Sequence, residues 1–125
     1  MAQKLTPDQA RRIEQIEIHL KSVERIKHFI AELESNRAGQ ARMLQGICES
    51  IAREASQLRQ RCLTANIGTV ADVAGTMSVM ANRGGGINLK IRALNDGVNS
   101  LLMQLDHALK VASSPEPARK SDSPA

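Results

Sequence analysis

The sequence predicts an all-α fold, and three observations lead to that prediction. Apolar residues recur at alternating spacings of three and four along most of the chain, which is the period of one helix face. Aromatic residues make up 1% of the 125 residues, so any core must consist of aliphatic side chains. Capping and glycine signals divide the pattern into four segments. We therefore expect an antiparallel four-helix bundle with three long helices and one short helix, and we expect this bundle to self-associate.

The first helix has the clearest start signal in the chain. Thr6 is placed to act as N-cap, Pro7 fits the first helical position, and Gln9 completes a capping box. Apolar residues then continue on one face until Asn36 and Gly39 interrupt the pattern. This interruption predicts a turn between the first two helices, and a single uninterrupted helix is the alternative.

The second and third helices are expected to differ in length. The second should face inward from Leu44 to Cys62, with a connection over residues 64–68. The third should be short and run from Thr69, acting as its N-cap, to Asn82. Three consecutive glycines then stop the pattern and supply the positive φ that a tight turn requires.

The fourth helix is predicted from Ile87 to Ala112, where eight apolar residues keep one heptad-like stripe. At about 1.5 Å per residue, this helix is roughly 39 Å long. Asn95, Asp96 and Gly97 form a local turn signal inside it, but the stripe keeps its phase across them. We therefore predict one helix with a weak point that costs about 1 kcal/mol at Gly97.

The chain is expected to form one domain. Residues 1–6 form a short lead, residues 7–112 the helical bundle, and residues 113–125 a disordered tail rich in serine, proline and charge. The sequence has neither an apolar signal core at its start nor a run long enough to span a membrane. We therefore expect a cytoplasmic protein without membrane association.

The cysteines and histidines give little indication of chemistry. Cys48 and Cys62 are fourteen residues apart in one helical pattern, which separates them by about 21 Å, whereas a disulfide needs Cα atoms within roughly 7 Å. We expect both thiols to be free and buried. His19, His28 and His107 are expected at the surface or the core boundary, without the spacing of metal ligands. The sequence thus predicts no catalytic residue, no metal site and no cofactor.

The net charge of +4 raises a nucleic-acid hypothesis. One cation precedes the glycines and two follow within the fourth helix, whose free N–H groups favour anions. A basic accessory protein that contacts nucleic-acid phosphates is therefore our alternative function, while a flexible turn with solubilising charges is the simpler interpretation. The expected contact residues are Arg59, Arg61, Arg83, Lys90 and Arg92.

The main functional hypothesis is a non-enzymatic interaction or adaptor module. The short third helix, about 21 Å long, covers only the first half of the fourth. Four leucines beyond that point should lack partners within the chain, and exposed stripes of this size mark contact sites. We expect them to form a homodimer interface or to contact another protein, unless the first helix tilts over the gap or residues 64–68 fill it. The predicted interface residues are Leu101, Leu102, Leu105 and Leu109.

Overall fold

The computed structural model describes residues 5–83 and 85–114, and every regular element in these residues is an α-helix. α1 packs against α2 and α4, and α3 also packs against α2 and α4. The predicted all-α fold, with three long helices and a short one, is confirmed. The helices are α1 (Pro7–Ser35), α2 (Ala41–Thr64), α3 (Gly68–Asn82) and α4 (Ile87–Ser113).

Two side-chain contacts hold α1 along the length of α4. The predicted capping box is present, because Thr6 Oγ1 accepts a 3.0 Å hydrogen bond from Gln9 N–H and Gln9 Oε1 accepts one of 2.9 Å from Thr6 N–H. The same Gln9 donates through Nε2 to the Ser114 carbonyl at 2.7 Å. At the opposite end, Arg37 Nη1 donates to Asn88 Oδ1 at 2.7 Å. Both ends of α4 are therefore joined to segments at or next to the ends of α1.

The predicted turn between α1 and α2 is confirmed, and the single-helix alternative is wrong. α1 ends at Ser35, and the N–H of its C-cap Asn36 donates to the Glu32 carbonyl at 3.1 Å. The Gly39 N–H then donates back to the Asn36 carbonyl at 2.6 Å. These hydrogen bonds satisfy part of the free backbone at the helix end.

The connection after α2 is shorter than predicted, because α2 closes with a Schellman motif. The Ile67 N–H donates to the Cys62 carbonyl at 2.8 Å, and the Asn66 N–H donates to the Leu63 carbonyl at 3.2 Å. Asn66 has φ of 65°, the left-handed conformation that this motif requires and that asparagine tolerates better than most residues. Thr64 therefore belongs to α2, and only three residues connect it to α3.

The start of α3 corrects a second prediction. α3 begins at Gly68, and the N-cap position is held by Ile67, with no side-chain capping bond among the described residues. Thr69 lies inside the helix, so its predicted role as N-cap is wrong.

Between α3 and α4, Gly85 has φ of +130°, the positive φ predicted for the glycine turn.

α4 continues through the local turn signal, as predicted, and Gly97 allows α3 to approach it closely. A Cβ atom added to Gly97 would lie 2.7 Å from both Cγ and Sδ of Met77. Met77 is fully buried, so it has little room to move. The absence of a side chain at Gly97 thus makes room for a core residue of α3, which offsets the weak helix propensity of glycine.

The core is a single aliphatic cluster drawn from all four helices. Cys48 and Cys62 are both buried and free, as predicted. Burial raises the pKa of the Cys62 thiol to about 11.

α4 includes Ser113, the residue at which the predicted tail was expected to begin. Residues 115–125 of that tail and residues 1–4 of the lead lie outside the described residues. None of the helices in the described part is both long enough and apolar enough to cross a membrane.

Alanine at position 97 should lower the free energy of unfolding by up to about 2 kcal/mol. Overpacking against Met77 costs about 1–3 kcal/mol, and better helix propensity offsets roughly 1 kcal/mol of that cost. Chemical denaturation monitored by circular dichroism measures the difference. Gly46→Ala is the matched control, because nothing lies within 4 Å of its added Cβ in α2, and it should raise stability by about 1 kcal/mol. Equal stabilisation by both substitutions would contradict the close contact of Gly97 with Met77.

Candidate functional site

The four leucines predicted as an interface fall into two pairs. Leu101 and Leu105 are fully buried within the single chain. Leu102 and Leu109 are half-buried and pack against the core. The expectation that Leu101 and Leu105 lack partners within the chain is therefore wrong. The physical reason is that α1 packs along α4 and covers the half that α3 is too short to reach.

The five predicted phosphate-contacting cations do not share one surface. Arg59 and Arg83 line one open cleft of about 660 Å³ beside α3. Arg83 also lines two smaller clefts with Lys90. Arg61 lines a cavity between α1 and α2 instead. Arg92 is exposed on α4, about 200° around the helix from Lys90. Three of the five cations are thus brought together, and two are not.

Lys90 has a structural contact that the sequence did not indicate. Its Nζ donates to the Ala81 carbonyl in the last turn of α3 at 3.4 Å, and it lies 3.9 Å from Cys48 Sγ. A cation at the carbonyl end of a helix is stabilised by the helix dipole. Lys90 therefore supports the end of α3 and is half-buried, so only part of it is accessible to a partner.

Two strongly exposed apolar side chains lie beside these cations. Val79 on α3 is 61% exposed, and Leu89 on α4 is 71% exposed. Val79 lines the larger cleft and Leu89 a cleft of about 210 Å³, and both clefts share Met80 and Arg83. The two clefts therefore adjoin at Met80 and Arg83, and we treat them as one surface. We name it the glycine-turn surface and define it as Val79, Met80, Arg83, Leu89, Lys90 and Ala93.

A satisfied polar network joins α1 and α2. Glu54 Oε2 accepts hydrogen bonds from Ser22 Oγ at 2.6 Å and from Arg25 Nη2 at 2.8 Å. Burial acts to raise the pKa of Glu54, but the hydrogen bonds from Arg25 and Ser22 outweigh it, and the pKa is lowered. Ser22 is fully buried and so depends on this partner.

His19 is buried, which corrects the prediction that all three histidines lie at the surface or boundary. It is 4% exposed, and neither ring nitrogen has a hydrogen-bond partner within the described residues. Burial lowers the pKa of His19, and the nearby Arg61 guanidinium lowers it further. The sequence did contain a signal, because His19 lies three residues after Ile16 and four before Val23, on the same buried face.

Arg61, on α2, also carries a buried side-chain atom without a hydrogen-bond partner among the described residues, and it lies beside His19. Its Nη1 is buried and has no hydrogen-bond partner in the described part of the chain. Arg61 and His19 line one open cavity of about 410 Å³, which we name the α1–α2 cavity. The cavity is completed by Gln15, Ile18, Thr64 and Ala65.

Within the described residues, no three histidine, cysteine, aspartate or glutamate side chains lie close enough together to hold a metal ion.

The chain matches no known protein family, no curated protein and no solved structure.

Truncation of Leu105 distinguishes a core residue from an interface residue. Because Leu105 is fully buried in the single chain, Leu105→Ala should lower the free energy of unfolding by about 2–5 kcal/mol. Met103→Ala, at a position 72% exposed, should change it by less than about 0.5 kcal/mol. A Leu105→Ala chain that kept wild-type stability but lost a wild-type dimer in light scattering would make Leu105 an interface residue instead.

Burial of neutral His19 should make stability depend on pH. The unfolded histidine has a pKa near 6.5 and the folded one a lower pKa, so the unfolded chain binds the proton more readily in between. Stability should therefore fall as the pH is lowered from about 7.5 to about 5.5.

Urea denaturation at the two pH values measures this loss. His19→Gln should reduce the loss, whereas His107→Gln, which removes an exposed imidazole, should retain it. An equal loss in the wild type and in His19→Gln would show that His19 is not the group responsible.

Proposed function

We propose that this chain is a non-enzymatic helical interaction module, and that its glycine-turn surface docks an acidic amphipathic helix of a protein partner. The observation that carries the proposal is the pairing of exposed apolar and basic side chains on one surface. Val79 and Leu89 expose most of their apolar area, and they line two clefts that adjoin at Met80 and Arg83. Contiguous patches of this kind mark binding sites in soluble proteins.

The charge of this surface favours an acidic partner. Arg83 and Lys90 belong to this surface, and Arg59 lines the same cleft as Val79. The acidic residues that line the neighbouring clefts are Asp72 and Glu49, so cations outnumber carboxylates by three to two. Within residues 5–83 and 85–114, none of these cations takes part in an ion pair. A partner helix with apolar residues three and four apart, flanked by carboxylates, would cover the apolar side chains and pair with the arginines.

The same features disfavour a second copy of the chain at this surface. A symmetric dimer would place this basic surface against the same basic surface of a second copy, and like charges across an interface are unfavourable. The homodimer predicted from the sequence also loses support from Leu101 and Leu105, since both are covered within one chain. Self-association through Leu102 and Leu109 stays a prediction, and the experiment below detects it.

Nucleic-acid binding is the second candidate, and one observation favours it. Arg59 from α2 and Arg83 from the end of α3 line the same open cleft, so two phosphates could be contacted together. Phosphate contacts are electrostatic, however, so they would not bury the exposed apolar side chains of Leu89 and Val79. We therefore rank this function below docking of an acidic helix.

The scaffold that presents the surface is, we infer, an antiparallel bundle. The contact of Gln9 with Ser114 and that of Arg37 with Asn88 support opposite directions for α1 and α4. The short connections between the helices support the same arrangement for the other neighbours.

The thiols support a non-enzymatic role in a reducing compartment such as the cytoplasm. Cys48 and Cys62 are free and buried among apolar side chains. A nucleophilic cysteine needs an exposed, electropositive setting that lowers its pKa, whereas burial raises that of Cys62.

Site-specific photo-crosslinking tests the docking surface. We would place a benzophenone amino acid at Leu89, and at Met103 as a matched control on the same helix with nearly equal exposure, 72% against 71%. In a nuclease-treated extract of the source cells, a protein should crosslink at position 89 and not at position 103. The captured segment should be an amphipathic helix with carboxylates, and Arg83→Glu should weaken its capture at least about tenfold.

Three results would contradict the proposal. Equal capture at positions 89 and 103 would show that exposure alone decides the crosslink. Crosslinks only between copies of this chain would replace the partner with a homodimer. Association that disappears on nuclease treatment, and that salt weakens steeply in binding assays with duplex DNA, would favour the nucleic-acid function.

A further inference from the structure

The cleft beside α3 carries charged and apolar residues in a fixed order along one helix face. Four residues follow one another at spacings of three and four, and so lie on one side of α3 and its C-cap: Asp72, Gly75, Val79 and Arg83. All four line the cleft of about 660 Å³, together with Arg59 of α2. The order along the helix is therefore a carboxylate, a glycine, an apolar side chain and a guanidinium.

Gly75 provides the place that the side chain of Arg59 occupies. A Cβ atom added to Gly75 would lie 3.0 Å from Arg59 Cδ and 3.2 Å from Arg59 Nε. The Arg59 side chain therefore lies against α3 at the level of Gly75, where a larger residue would displace it. α2 thus supplies a positive charge at a level where α3 itself has no side chain.

The two arginines are separated by about two helical turns. Arg83 follows Gly75 by eight residues, which is roughly 12 Å along the axis of α3. Val79 lies midway between these levels and is 61% exposed. Both arginines are exposed, and neither forms an ion pair within the described residues. The cleft therefore offers two accessible positive charges with an exposed apolar side chain between them.

On the basis of the docking function, we propose that the partner helix carries two carboxylates seven residues apart, with an apolar residue midway between them. Seven residues make nearly two turns, so both carboxylates face the same side, about 10.5 Å apart along the axis. One carboxylate binds Arg59 and the other binds Arg83, and the length of the arginine side chains accommodates the remaining difference. The apolar residue, three or four positions from each carboxylate, covers Val79.

Asp72 limits this pattern at one end. It is exposed and lies three residues before Gly75, on the side away from Arg83. Its Cβ is tilted toward the N-terminus of α3, which directs the carboxylate away from the level of Gly75. A third carboxylate on the partner, one turn beyond the one at Arg59, would face Asp72 and be repelled, whereas a lysine there would pair with it. The cleft therefore selects an order of charges along the partner helix, beyond a general attraction to acidic proteins.

Synthetic helical peptides test the spacing by nuclear magnetic resonance. The first is an alanine-based peptide of about fifteen residues, held helical by a side-chain crosslink, with two glutamates seven positions apart and a leucine between them. The second has the same composition, but one glutamate is moved by two positions, which turns it about 200° around the helix. The first should shift the amide signals of Gly75 and Val79, and it should bind at least about tenfold more tightly than the second.

Charge reversal assigns each carboxylate to its arginine. Arg59→Glu should weaken binding of the first peptide at least about tenfold, and lysine in place of one peptide glutamate should restore it. Lysine in place of the other glutamate should restore binding to Arg83→Glu. Arg92→Glu is the matched control, because it changes the net charge equally and Arg92 is exposed on α4 outside the cleft.

A substitution at Gly75 tests how Arg59 is positioned. Gly75→Leu keeps both arginines and favours the helix, but it fills the place of the Arg59 side chain. It should weaken binding of the first peptide about as much as Arg59→Gln does. In a chain that already carries Arg59→Gln, Gly75→Leu should have little further effect, because the two changes remove the same contact.

Several results would overturn the proposed charge pattern. Equal binding of the two peptides, or binding of neither by the folded chain, would show that the cleft does not recognise this spacing. Equal losses in Arg59→Glu and Arg92→Glu would mean that net charge alone holds the peptide, and failure of the lysine peptides to restore binding would remove the assigned pairs. Capture of an acidic helix at position 89 would still support the docking function after any of these results. No capture there by a chain that binds the first peptide would contradict the docking function instead.

Discussion

α3 has 15 residues and α4 has 27, and this difference in length determines how the rest of the chain must pack. At about 1.5 Å per residue, α3 leaves roughly 18 Å of α4 without cover. α1 has 29 residues and is long enough to cover all of α4. Its contacts with α4 occur near both ends, and Asn95 Nδ2 adds a third by donating to Glu34 Oε2 at 3.3 Å. The burial of Leu101 and Leu105, each worth about 1.5–3 kcal/mol, depends on this cover.

The half of the bundle formed by α2 and α3 packs through small and unbranched side chains, without an aromatic ring in either helix. α2 and α3 bury alanines toward one another, including Ala52, Ala55, Ala71 and Ala74, and small side chains let helix backbones approach closely. Met77 then fills the space above Gly97, which its unbranched side chain can enter. An aliphatic core can therefore pack densely without a large ring, provided that the small and long side chains face one another.

Local chemistry explains which parts of this fold could be predicted from the sequence. The start of α1 was predictable because its capping box involves residues only three apart. The continuity of α4 through Gly97 was predictable from the phase of its apolar stripe. The wrong cap at Thr69 has a local cause too, since the Schellman motif at Asn66 closes α2 so late that α3 begins without a side-chain cap in the described residues.

Properties that depend on which helices are neighbours could not be predicted in the same way. The cover of Leu101 and Leu105 by α1 is a contact between residues far apart in the sequence. The grouping of Arg83 with Arg59 and Lys90, and the separation of Arg61 and Arg92 from them, depends on the same packing. Sequence reasoning identified these cations by proximity along the chain, which does not determine the surface that each one joins.

The polar residues between α1 and α2 differ in how completely their hydrogen bonds are satisfied. Ser22 and Glu54 satisfy one another, and Arg25 completes their network, so this part of the interface carries little cost. His19 lies one turn earlier on the same buried face and has no such partner in the described residues. An unpaired buried donor or acceptor costs about 1–3 kcal/mol, and an apolar side chain at position 19 would avoid that cost. Within the described residues, Arg61 adds a further unpartnered buried atom beside the α1–α2 cavity, so the packing of α1 on α2 combines one satisfied polar network with two side chains that oppose it.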